Sequence, residues 1–294
     1  MKSGFAGIIG RPNVGKSTLL NSILGEKIAI TTDKPQTTRN SIRGIYTRPD
    51  EAQIVFIDTP GIHKAHSRLG SAMTEMAVNT FKEVDVILFL IDGNAKKGPG
   101  DRYIFDMIKD LDTPKILVIN KTDKTDPEDF AGLYDEYEKT GVFHAIFGTS
   151  ALLGRNVDGL LDEIEKLMPE GPMYFPEDMV TDHPERFLVS EIIREKILMY
   201  LNDEVPHGVA VEIESFREEP GLARIGAVIY CEKKSHKGII IGKQGRKLKG
   251  IGQSARKEIE ALLGTKVYLE TWVKVKENWR DSDTAIANFG YREK

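Results

Sequence analysis

Eight residues near the N-terminus, Gly-Arg-Pro-Asn-Val-Gly-Lys-Ser at positions 10–17, constrain the fold of this chain more than any other feature. They fit the pattern Gly-x-x-x-x-Gly-Lys-Ser, and they lie between a short apolar run at 5–9 and a helical pattern at 16–24. A glycine-rich turn between a buried strand and a helix lets backbone N–H groups and the helix N-terminus surround a phosphate group. The motif therefore predicts a polyphosphate-binding loop at the carboxyl end of the first strand of a sheet.

Short apolar segments alternate with helical patterns over the first 168 residues. The apolar segments are nearly continuous, as expected of strands that are buried on both faces. Segment 42–48 is expected to pair with 52–57 as an antiparallel edge hairpin. This order predicts an α/β P-loop domain with a mostly parallel, doubly wound sheet. The predicted strands are 5–9, 52–57, 84–91, 115–119 and 143–147, and the predicted helices are 16–24, 70–82, 101–110, 128–139 and 156–168.

A proline-rich stretch separates this domain from a second one. Residues 169–184 contain four prolines in sixteen residues, so they cannot continue a helix. Beyond this stretch the patterns predict an α+β unit, with helices at 186–201 and 246–263 and strands at 209–215, 223–231 and 267–275. The predicted organisation is a first domain over 1–168, a linker over 169–184, a second domain over 185–276 and a tail over 277–294.

Charge is distributed unevenly along the chain. Residues 233–280 contain 13 Lys and Arg and 4 Asp and Glu, whereas the rest of the chain has 28 Lys and Arg and 41 Asp and Glu. A basic segment on an acidic protein is typical of a module that binds a polyanion. For a charge block alone, a solvated basic face is an equally good explanation.

The remaining composition is that of an ordinary soluble protein, with 40% apolar and 29% charged residues. No run of about 18 apolar residues is present that could span a bilayer. The first predicted strand begins so close to Met1 that there is no room for a cleavable signal peptide. Cys231 is the single cysteine and cannot form an internal disulfide, as expected in a reducing cytosol. We expect a cytoplasmic protein.

A second motif, Asp-Thr-Pro-Gly at 58–61, follows the predicted strand at 52–57 directly. Asp58 can hold a Mg²⁺ ion through water, while the Gly61 N–H can follow the γ-phosphate of a nucleotide without a side chain in the way. From the first motif, Ser17 would ligate the ion and Lys16 would reach the β- and γ-phosphates. The two motifs together predict a magnesium–triphosphate site.

A third motif, Asn-Lys-Thr-Asp at 120–123, selects the base. The Asp123 carboxylate can accept two hydrogen bonds from guanine, whereas adenine offers no such pair of donors, so GTP is predicted rather than ATP. The stem of Lys121 would lie over the purine, and residues 149–151 would offer a backbone N–H to the guanine carbonyl. Ligands bind at the carboxyl ends of such strands. The residues predicted to bind the nucleotide are Gly10, Arg11, Pro12, Asn13, Val14, Gly15, Lys16, Ser17, Thr18, Asp58, Thr59, Pro60, Gly61, Ile62, Asn120, Lys121, Thr122, Asp123, Ser150 and Ala151.

Taken together, these motifs resemble those of the translation-factor-related GTPase superfamily. The resemblance implies hydrolysis of GTP to GDP with Mg²⁺, a first switch over 31–41 and a second switch over 58–69. Thr38 would bind Mg²⁺ and sense the γ-phosphate, with the adjacent Thr37 as the alternative. The residues predicted to act in catalysis are Lys16, Thr38 and Gly61, and the predicted metal ligands are Ser17, Thr38 and, through water, Asp58.

The residue after the second motif departs from the pattern of many GTPases. A glutamine that orients the attacking water commonly stands there, and this chain has Ile62. The resemblance to the branch with a hydrophobic residue at this position implies a K⁺ ion near the phosphates, held partly by Asn13. We expect slow, K⁺-stimulated hydrolysis.

The basic segment contains a further motif, Gly-Lys-Gln-Gly at 242–245, with an apolar helical stretch before it and a basic helix after it. Gly-x-x-Gly between two helices is typical of a KH domain, in which the loop approaches a sugar-phosphate backbone and apolar side chains receive unpaired bases. The order helix-strand-strand-helix-helix-strand is that of a type II KH domain. The residues predicted to bind single-stranded RNA are Lys237, Ile239, Ile240, Gly242, Lys243, Gln244, Gly245, Arg246, Lys247 and Lys249.

Over essentially the whole chain, including 190–196 and 269–276, the sequence resembles bacterial GTPases that carry a C-terminal KH domain. The resemblance implies a monomeric switch in maturation of the small (30S) ribosomal subunit, with the KH domain on the 3′ end of 16S rRNA. It also implies a loose peripheral association with the inner face of the cell membrane. Two alternatives are a constitutive RNA-binding adaptor in which the nucleotide only stabilises the fold, and an RNA-dependent ATPase, which Asp123 disfavours.

Overall fold

The computed structural model describes residues 1–65, 67–95, 98–202 and 205–291. Within this part of the chain, residues 1–65 and 70–182 form one compact unit, and residues 183–291 with the short segment 67–69 form the other.

The first unit is built around a six-stranded sheet. Its strands are in the order β2-β3-β1-β4-β5-β6, and β2 is antiparallel to β3 whereas the other pairs are parallel. Every residue of β3 and β5 is buried, as their apolar runs predicted. The predicted α/β fold class is confirmed. In chain order the elements are β1 (Lys2–Gly10), α1 (Lys16–Leu24), β2 (Ile42–Arg48), β3 (Ala52–Asp58), α2 (Arg68–Thr80), β4 (Val86–Asp92), α3 (Pro99–Ile108), β5 (Lys115–Asn120), α4 (Pro127–Glu138), β6 (Ala145–Gly148) and α5 (Val157–Leu167).

Strand β1 lies at the point where the strand order reverses, because β3 pairs with one of its edges and β4 with the other. In open α/β sheets, ligands bind outside the carboxyl ends of the strands at such a point. Gly10 ends β1 at this place, so the fold positions the first motif at the expected ligand site.

The second unit is a three-stranded sheet covered by helices. The strands are in the order β7-β8-β9, with β7 antiparallel and β9 parallel to β8. Alternate residues of β8, from Ala223 to Cys231, pack in one core with apolar side chains of the helices, such as Ile193 and Ile259. The elements are α6 (Glu185–Tyr200), β7 (Ala210–Glu219), β8 (Leu222–Cys231), α7 (Lys234–Ile241), α8 (Arg246–Leu263), β9 (Lys266–Val275) and α9 (Asp283–Asn288).

The stretch predicted as a linker packs mostly on the first unit. Ser3 donates its N–H to the carbonyl of Pro169 (3.0 Å), and Gln53 Oε1 accepts from the N–H of Tyr174 (2.7 Å). As far as Asp182, this stretch therefore belongs to the first unit.

The C-terminal residues after β9 contain more structure than the sequence pattern indicated. Trp279 is fully buried and its Nε1 donates to the carbonyl of Gly208 (2.9 Å). Helix α9 follows, and the side chain of Ser282 caps it by accepting from the N–H of Ala285 (3.3 Å). These contacts make the tail part of the second unit.

Candidate functional site

The loop between β1 and α1 is held in shape by the end of β5. Gly15 has φ 101°, and a Cβ atom there would lie 2.2 Å from Nδ2 of Asn120. The same Nδ2 donates to the carbonyl of Val14 (2.9 Å). A glycine is therefore required at position 15, because the backbone and the Asn120 amide approach so closely.

Lys16 places a buried positive charge at the start of α1. The residue is 6% exposed, and its Nζ donates to the carbonyls of Arg11 (3.0 Å) and Gly10 (3.3 Å). Burial lowers the pKa of Lys16 to about 8, and the negative charge of Asp58 opposes this effect. The ammonium group is thus positioned before a phosphate arrives, and a polyphosphate would add anionic partners to the nearby charge of Asp58.

Three oxygen-bearing side chains converge beside Lys16. Ser17 Oγ lies 2.6 Å from Asp58 Oδ2 and 2.8 Å from Thr38 Oγ1. Asp58 is fully buried, and its Oδ1 atom has no hydrogen-bond partner among the described residues. Burial raises the pKa of Asp58 to about 6, and the positive charge of Lys16 opposes the rise. Two hydroxyls and a carboxylate with an unpaired oxygen fit Mg²⁺, which prefers oxygen ligands and often binds carboxylates through water.

The structure distinguishes Thr37 from Thr38. Thr37 Oγ1 donates to the carbonyl of Lys34 (2.6 Å) and lies 2.6 Å from Thr32 Oγ1, so it braces the first switch internally. Thr38 Oγ1 faces Ser17 instead. The geometry therefore favours Thr38 as the hydroxyl nearer to the metal position.

At the other end of the site, Asp123 follows β5 and meets the loop after β6. Its Oδ1 accepts from the hydroxyl of Ser150 (2.6 Å), and this hydrogen bond holds the pKa of Asp123 below its ordinary value. The carboxylate is therefore oriented and ionised at neutral pH, as recognition of two guanine donors requires.

Asn120 and Lys121 connect the predicted motifs to one another. Asn120 Oδ1 accepts from the N–H of Ala151 (3.0 Å), in addition to the bond that its Nδ2 donates. Lys121 Nζ donates to the carbonyl of Asn13 (2.7 Å) and to Asp92 Oδ2 (2.6 Å). Asp92 ends β4, and the sequence analysis did not predict it as a site residue. Its position at the end of a predicted strand was the signal that could have identified it.

The loop at 149–151 is held by hydrogen bonds within the protein, and its expected backbone N–H contact with the guanine carbonyl stays a prediction. The N–H of Ala151 donates to Asn120, and that of Ser150 donates to the carbonyl of Arg155 (3.2 Å). The same loop supports Asp123 through the Ser150 hydroxyl.

Several residues of the predicted set support the site from behind. Arg11 Nε forms an ion pair with Asp101 of α3 (2.6 Å), and Thr59 Oγ1 donates to the carbonyl of Ile8 (2.8 Å). Val14 and Ile62 are each 1% exposed. The side chains of Val14, Thr59 and Ile62 are buried, so any nucleotide contact from these three residues comes from backbone atoms.

One open cavity brings the phosphate end of the site together with the first switch. It does not include Asp123, which lies at the base end, beyond Lys121. The residues that line it are Pro12, Asn13, Gly15, Lys16, Ser17, Thr18, Ile30, Thr31, Thr32, Gln36, Thr37, Thr38, Gly61 and Lys121.

In the second unit, a tight turn over 242–245 joins α7 to α8. Gly242 has φ 72°, and a Cβ atom there would lie 2.7 Å from the Cβ of Lys247. Gly245 has φ 74° with open space around it. Lys243 and Gln244 between the glycines are exposed, so the turn projects a positive charge and a bare backbone into solvent, as contact with a sugar-phosphate backbone requires.

A groove extends from this turn between α8 and β9. Leu248, Lys249, Gly252, Gln253 and Arg256 of α8 line one side, and residues of β9 line the other. The residues that the sequence prediction missed are Leu248, Gly252, Gln253, Arg256, Tyr268, Leu269 and Thr271. The signal for Arg256 was its helical spacing from Lys249, because residues seven apart lie on one face of a helix. The contribution of β9 depends on tertiary packing and had no local signal.

Two apolar predictions are resolved by burial. Ile239 is 43% exposed beside the turn, whereas Ile240 is fully buried in the core. Ile240 is therefore wrong as a base contact and supports the turn instead. Trp272 is 45% exposed on β9 and its ring lies over Gly226, so it covers part of one face of the sheet.

Comparison with known proteins agrees with this arrangement. Residues 5–121 match the family model for 50S ribosome-binding GTPases, and residues 204–280 match the KH domain model. GTPase Era of Alkaliphilus oremlandii is 61% identical over 292 residues, with 99% of each chain covered. GTPase Era of Clostridioides difficile is 56% identical over 296 residues, covering 100% of this chain and 99% of its own.

Two solved structures are similar over nearly the whole chain. A variant of Aquifex aeolicus Era bound to GDP.AlF4- has 45% identity and a TM-score of 0.96, covering 99% of this chain and 100% of that one. A structure of Era in complex with MgGDPNP and nucleotides 1506–1542 of 16S ribosomal RNA has the same identity and TM-score, with 99% of each chain covered.

The fold and the two sites define a P-loop GTPase joined to a KH domain. More particularly, the chain belongs to the Era family of GTPases. It is an enzyme that hydrolyses GTP to GDP and phosphate, and its second domain is of the RNA-binding KH type.

Proposed function

We propose that this chain is a GTP-driven switch that holds the single-stranded 3′ end of 16S rRNA during maturation of the 30S ribosomal subunit. GTP and Mg²⁺ order the two switches, the groove between α8 and β9 then holds RNA, and hydrolysis resets the protein. The observation that carries the proposal is a basic groove beside the 242–245 turn in a chain with a complete GTP site. The 16S rRNA complex of the relative with 45% identity supports the identity of the RNA.

Crosslinking of the GTP-loaded protein to cellular RNA, followed by sequencing, tests the partner. Reads are expected to concentrate at the 3′ end of 16S rRNA, and an even distribution over unrelated RNA would contradict the proposal. The switch itself requires the two nucleotide states to differ in RNA affinity. Equal affinity of the GDP and GDPNP forms for RNA would favour the alternative of a constitutive RNA-binding adaptor.

Within this proposal the residues divide by role. Lys16 and Gly61 contact the phosphates, Ser17 and Thr38 bind Mg²⁺ directly, and Asp58 binds it through water. Asp123 reads guanine, and the remaining motif residues shape these loops. RNA is held by the turn at 242–245 and by the basic residues of α7 and α8. We propose one domain boundary, directly after Asp182, with the C-terminal residues up to Tyr291 as part of the second domain.

We also propose that K⁺ stimulates hydrolysis through Asn13. Asn13 Nδ2 donates to the carbonyl of Asp33 in the first switch (2.7 Å). Rotation of this amide would place its oxygen beside that carbonyl, and K⁺ is commonly bound by such oxygens. Single-turnover rates should be higher in K⁺ than in Na⁺, and Asn13→Ala should remove the difference. Equal rates of the unchanged protein in the two salts would contradict the role of the ion.

For location and assembly, we propose a cytoplasmic monomer with a loose peripheral contact at the inner membrane face. The support is the family resemblance. In the part of the chain that the structure describes, no helix has the length and apolarity needed to cross a bilayer. Light scattering should give the mass of one chain, 32.9 kDa. Sedimentation with anionic vesicles should recover a salt-sensitive fraction, and its complete absence at low salt would contradict the membrane contact.

A further inference from the structure

The residue that follows Gly61 has no polar side chain that could orient water. Ile62 is 1% exposed, and its side chain packs in the hydrophobic core. Its N–H donates to the carbonyl of Gly10 (3.2 Å). Because hydrolysis of GTP requires a positioned water, a polar group other than the side chain at position 62 must hold that water.

Gln36 and His63 form a hydrogen-bonded chain between the two switches. Gln36 Nε2 lies 3.4 Å from His63 Nε2, and His63 Nδ1 lies 2.9 Å from the carbonyl oxygen of Gly61. A carbonyl oxygen only accepts, so Nδ1 of the neutral ring carries the proton. Nε2 then accepts from the Gln36 amide N–H. The chain therefore fixes the orientation of the Gln36 amide.

The orientation matters because Gln36 lines the cavity together with Lys16, Thr38 and Gly61. With Nε2 turned to His63, the carbonyl oxygen Oε1 is the acceptor that the amide presents. The backbone of Gln36 is in the left-handed region, at φ 59°. A non-glycine residue in that region is enriched at functional sites.

We propose that Gln36 is a catalytic residue that holds the attacking water, and that His63 is a positioning residue that acts through Gln36. The water oxygen forms a bond to the γ-phosphorus as the bond from that phosphorus to the β–γ bridging oxygen breaks. GDP leaves with the bonding electron pair, and the water proton ends on the phosphate product. Gln36 accepts a hydrogen bond from the water and takes no proton. The proposal concerns the GTPase reaction alone and goes beyond the proposed RNA function.

Single-turnover hydrolysis of GTP by the full chain tests these roles, with GDPNP affinity measured in parallel. Gln36→Ala should slow hydrolysis about 10- to 100-fold, with GDPNP affinity within about threefold. Gln36→Asn should be about as slow, because its amide is one methylene shorter. His63→Phe should slow hydrolysis about fivefold to tenfold, as expected for loss of one orienting hydrogen bond. His144→Phe, at an exposed histidine outside both switches, is the matched control and should hydrolyse GTP normally.

The double variant Gln36→Ala with His63→Phe separates positioning from a direct role. If His63 acts only through Gln36, the double variant should hydrolyse GTP as fast as Gln36→Ala, because the two effects share one interaction. If the double variant were slower than Gln36→Ala by the same factor that His63→Phe alone produces, His63 would not act through Gln36. The proposal would also be overturned by a Gln36→Ala rate within twofold of the unchanged protein, or by a loss of GDPNP affinity as large as the loss of rate.

Discussion

The nucleotide site and the RNA groove hold their charges in opposite ways. In the nucleotide site, Lys16 and Asp58 are buried, and burial shifts the pKa of each toward the neutral form. Along the groove, Lys243, Lys249 and Arg256 are exposed to solvent. The first site therefore carries charges that folding disfavours, whereas the second carries charges that water already stabilises.

This difference predicts two kinds of behaviour. Groups that are buried and fixed by hydrogen bonds should determine which ligand binds. Their removal should weaken ligand binding strongly and increase the stability of the ligand-free folded protein. Exposed charges should add affinity in small, salt-dependent increments with little effect on stability. Substitutions in the two sites test this contrast.

The largest effect is expected for Lys16→Met, which keeps most of the apolar stem and removes the charge. GTP affinity should fall by about 10³-fold or more, because the phosphates lose a charge-assisted contact in a buried site. Isothermal calorimetry measures the loss, and Lys109→Met at the C-terminal end of α3, where the side chain is exposed, is the control. Binding within tenfold of the unchanged protein would contradict a phosphate contact by Lys16.

The same substitution, Lys16→Met, should weaken nucleotide binding but increase the stability of the nucleotide-free protein. The folded pKa of Lys16, about 8, lies below the ordinary value of 10.5, so the unfolded chain binds this proton more tightly. As pH falls from about 10 to about 8, the unchanged protein should therefore lose stability relative to Lys16→Met. Melting curves across this range show the effect, and parallel curves for the two proteins would indicate that the burial of the charge is already compensated.

Asp123→Asn should alter base selectivity next. An amide in place of the carboxylate cannot accept both guanine hydrogen bonds, but it can donate to the carbonyl of xanthine. GTP affinity should fall by about 10²-fold, and xanthosine triphosphate should be preferred. Competition binding measures the ratio. Ser150→Ala, which removes only the orienting hydrogen bond, should weaken GTP binding by less than tenfold. An unchanged preference of Asp123→Asn for GTP would overturn the role of Asp123.

The sequence predicted the nucleotide site more completely than the groove for a physical reason. The phosphate loop and the guanine motif are each short segments at strand ends, and a doubly wound sheet brings strand ends together without further information. The correct order of strands and helices followed from apolar runs that are buried on both faces. Asp92 was missed because a single acidic residue at a strand end resembles any other strand terminus.

The groove, in contrast, is formed by pairing of a helix face with a strand that is distant in sequence. The 242–245 turn was visible as a local pattern, but Tyr268 and Thr271 became groove residues only through packing of β9 against α8. The burial of Ile240 beside the exposed Ile239 depends on the direction of α7 toward the core. The groove residues of β9 and the burial of Ile240 both depend on tertiary packing, which the spacing of residues in the sequence does not determine.

In the groove, Gly245→Asp should reduce RNA affinity by about 10- to 100-fold through repulsion of the phosphate backbone. Gly245 is preferable to Gly242 as a test, because a side chain at Gly242 would meet Lys247 and disturb the turn. Gly221→Asp is the matched control, since Gly221 has nearly the same φ, 75°, and the same open surroundings in the β7–β8 turn. Fluorescence anisotropy with a 16S rRNA 3′-end oligonucleotide measures both. Equal losses in the two variants would indicate backbone strain and not phosphate contact.

The smallest effect is expected for Arg256→Glu. This variant tests most directly whether the exposed charges of the groove behave differently from the buried charges of the nucleotide site. Arg256 is exposed on α8 and lines the groove, so reversing its charge should weaken RNA binding about threefold to tenfold and leave GTP hydrolysis unchanged. The slope of log affinity against log salt should fall in magnitude by about 0.7 for each phosphate of a single strand that the variant no longer neutralises. Arg217→Glu, at an exposed position on β7, gives the effect of the same change in net charge outside the groove. If both variants bind RNA equally well, the net charge of the domain determines RNA affinity, and a contact of Arg256 with RNA does not. If Arg256→Glu instead lowers the melting temperature, its charge is part of the folded framework, and the distinction between the two sites fails.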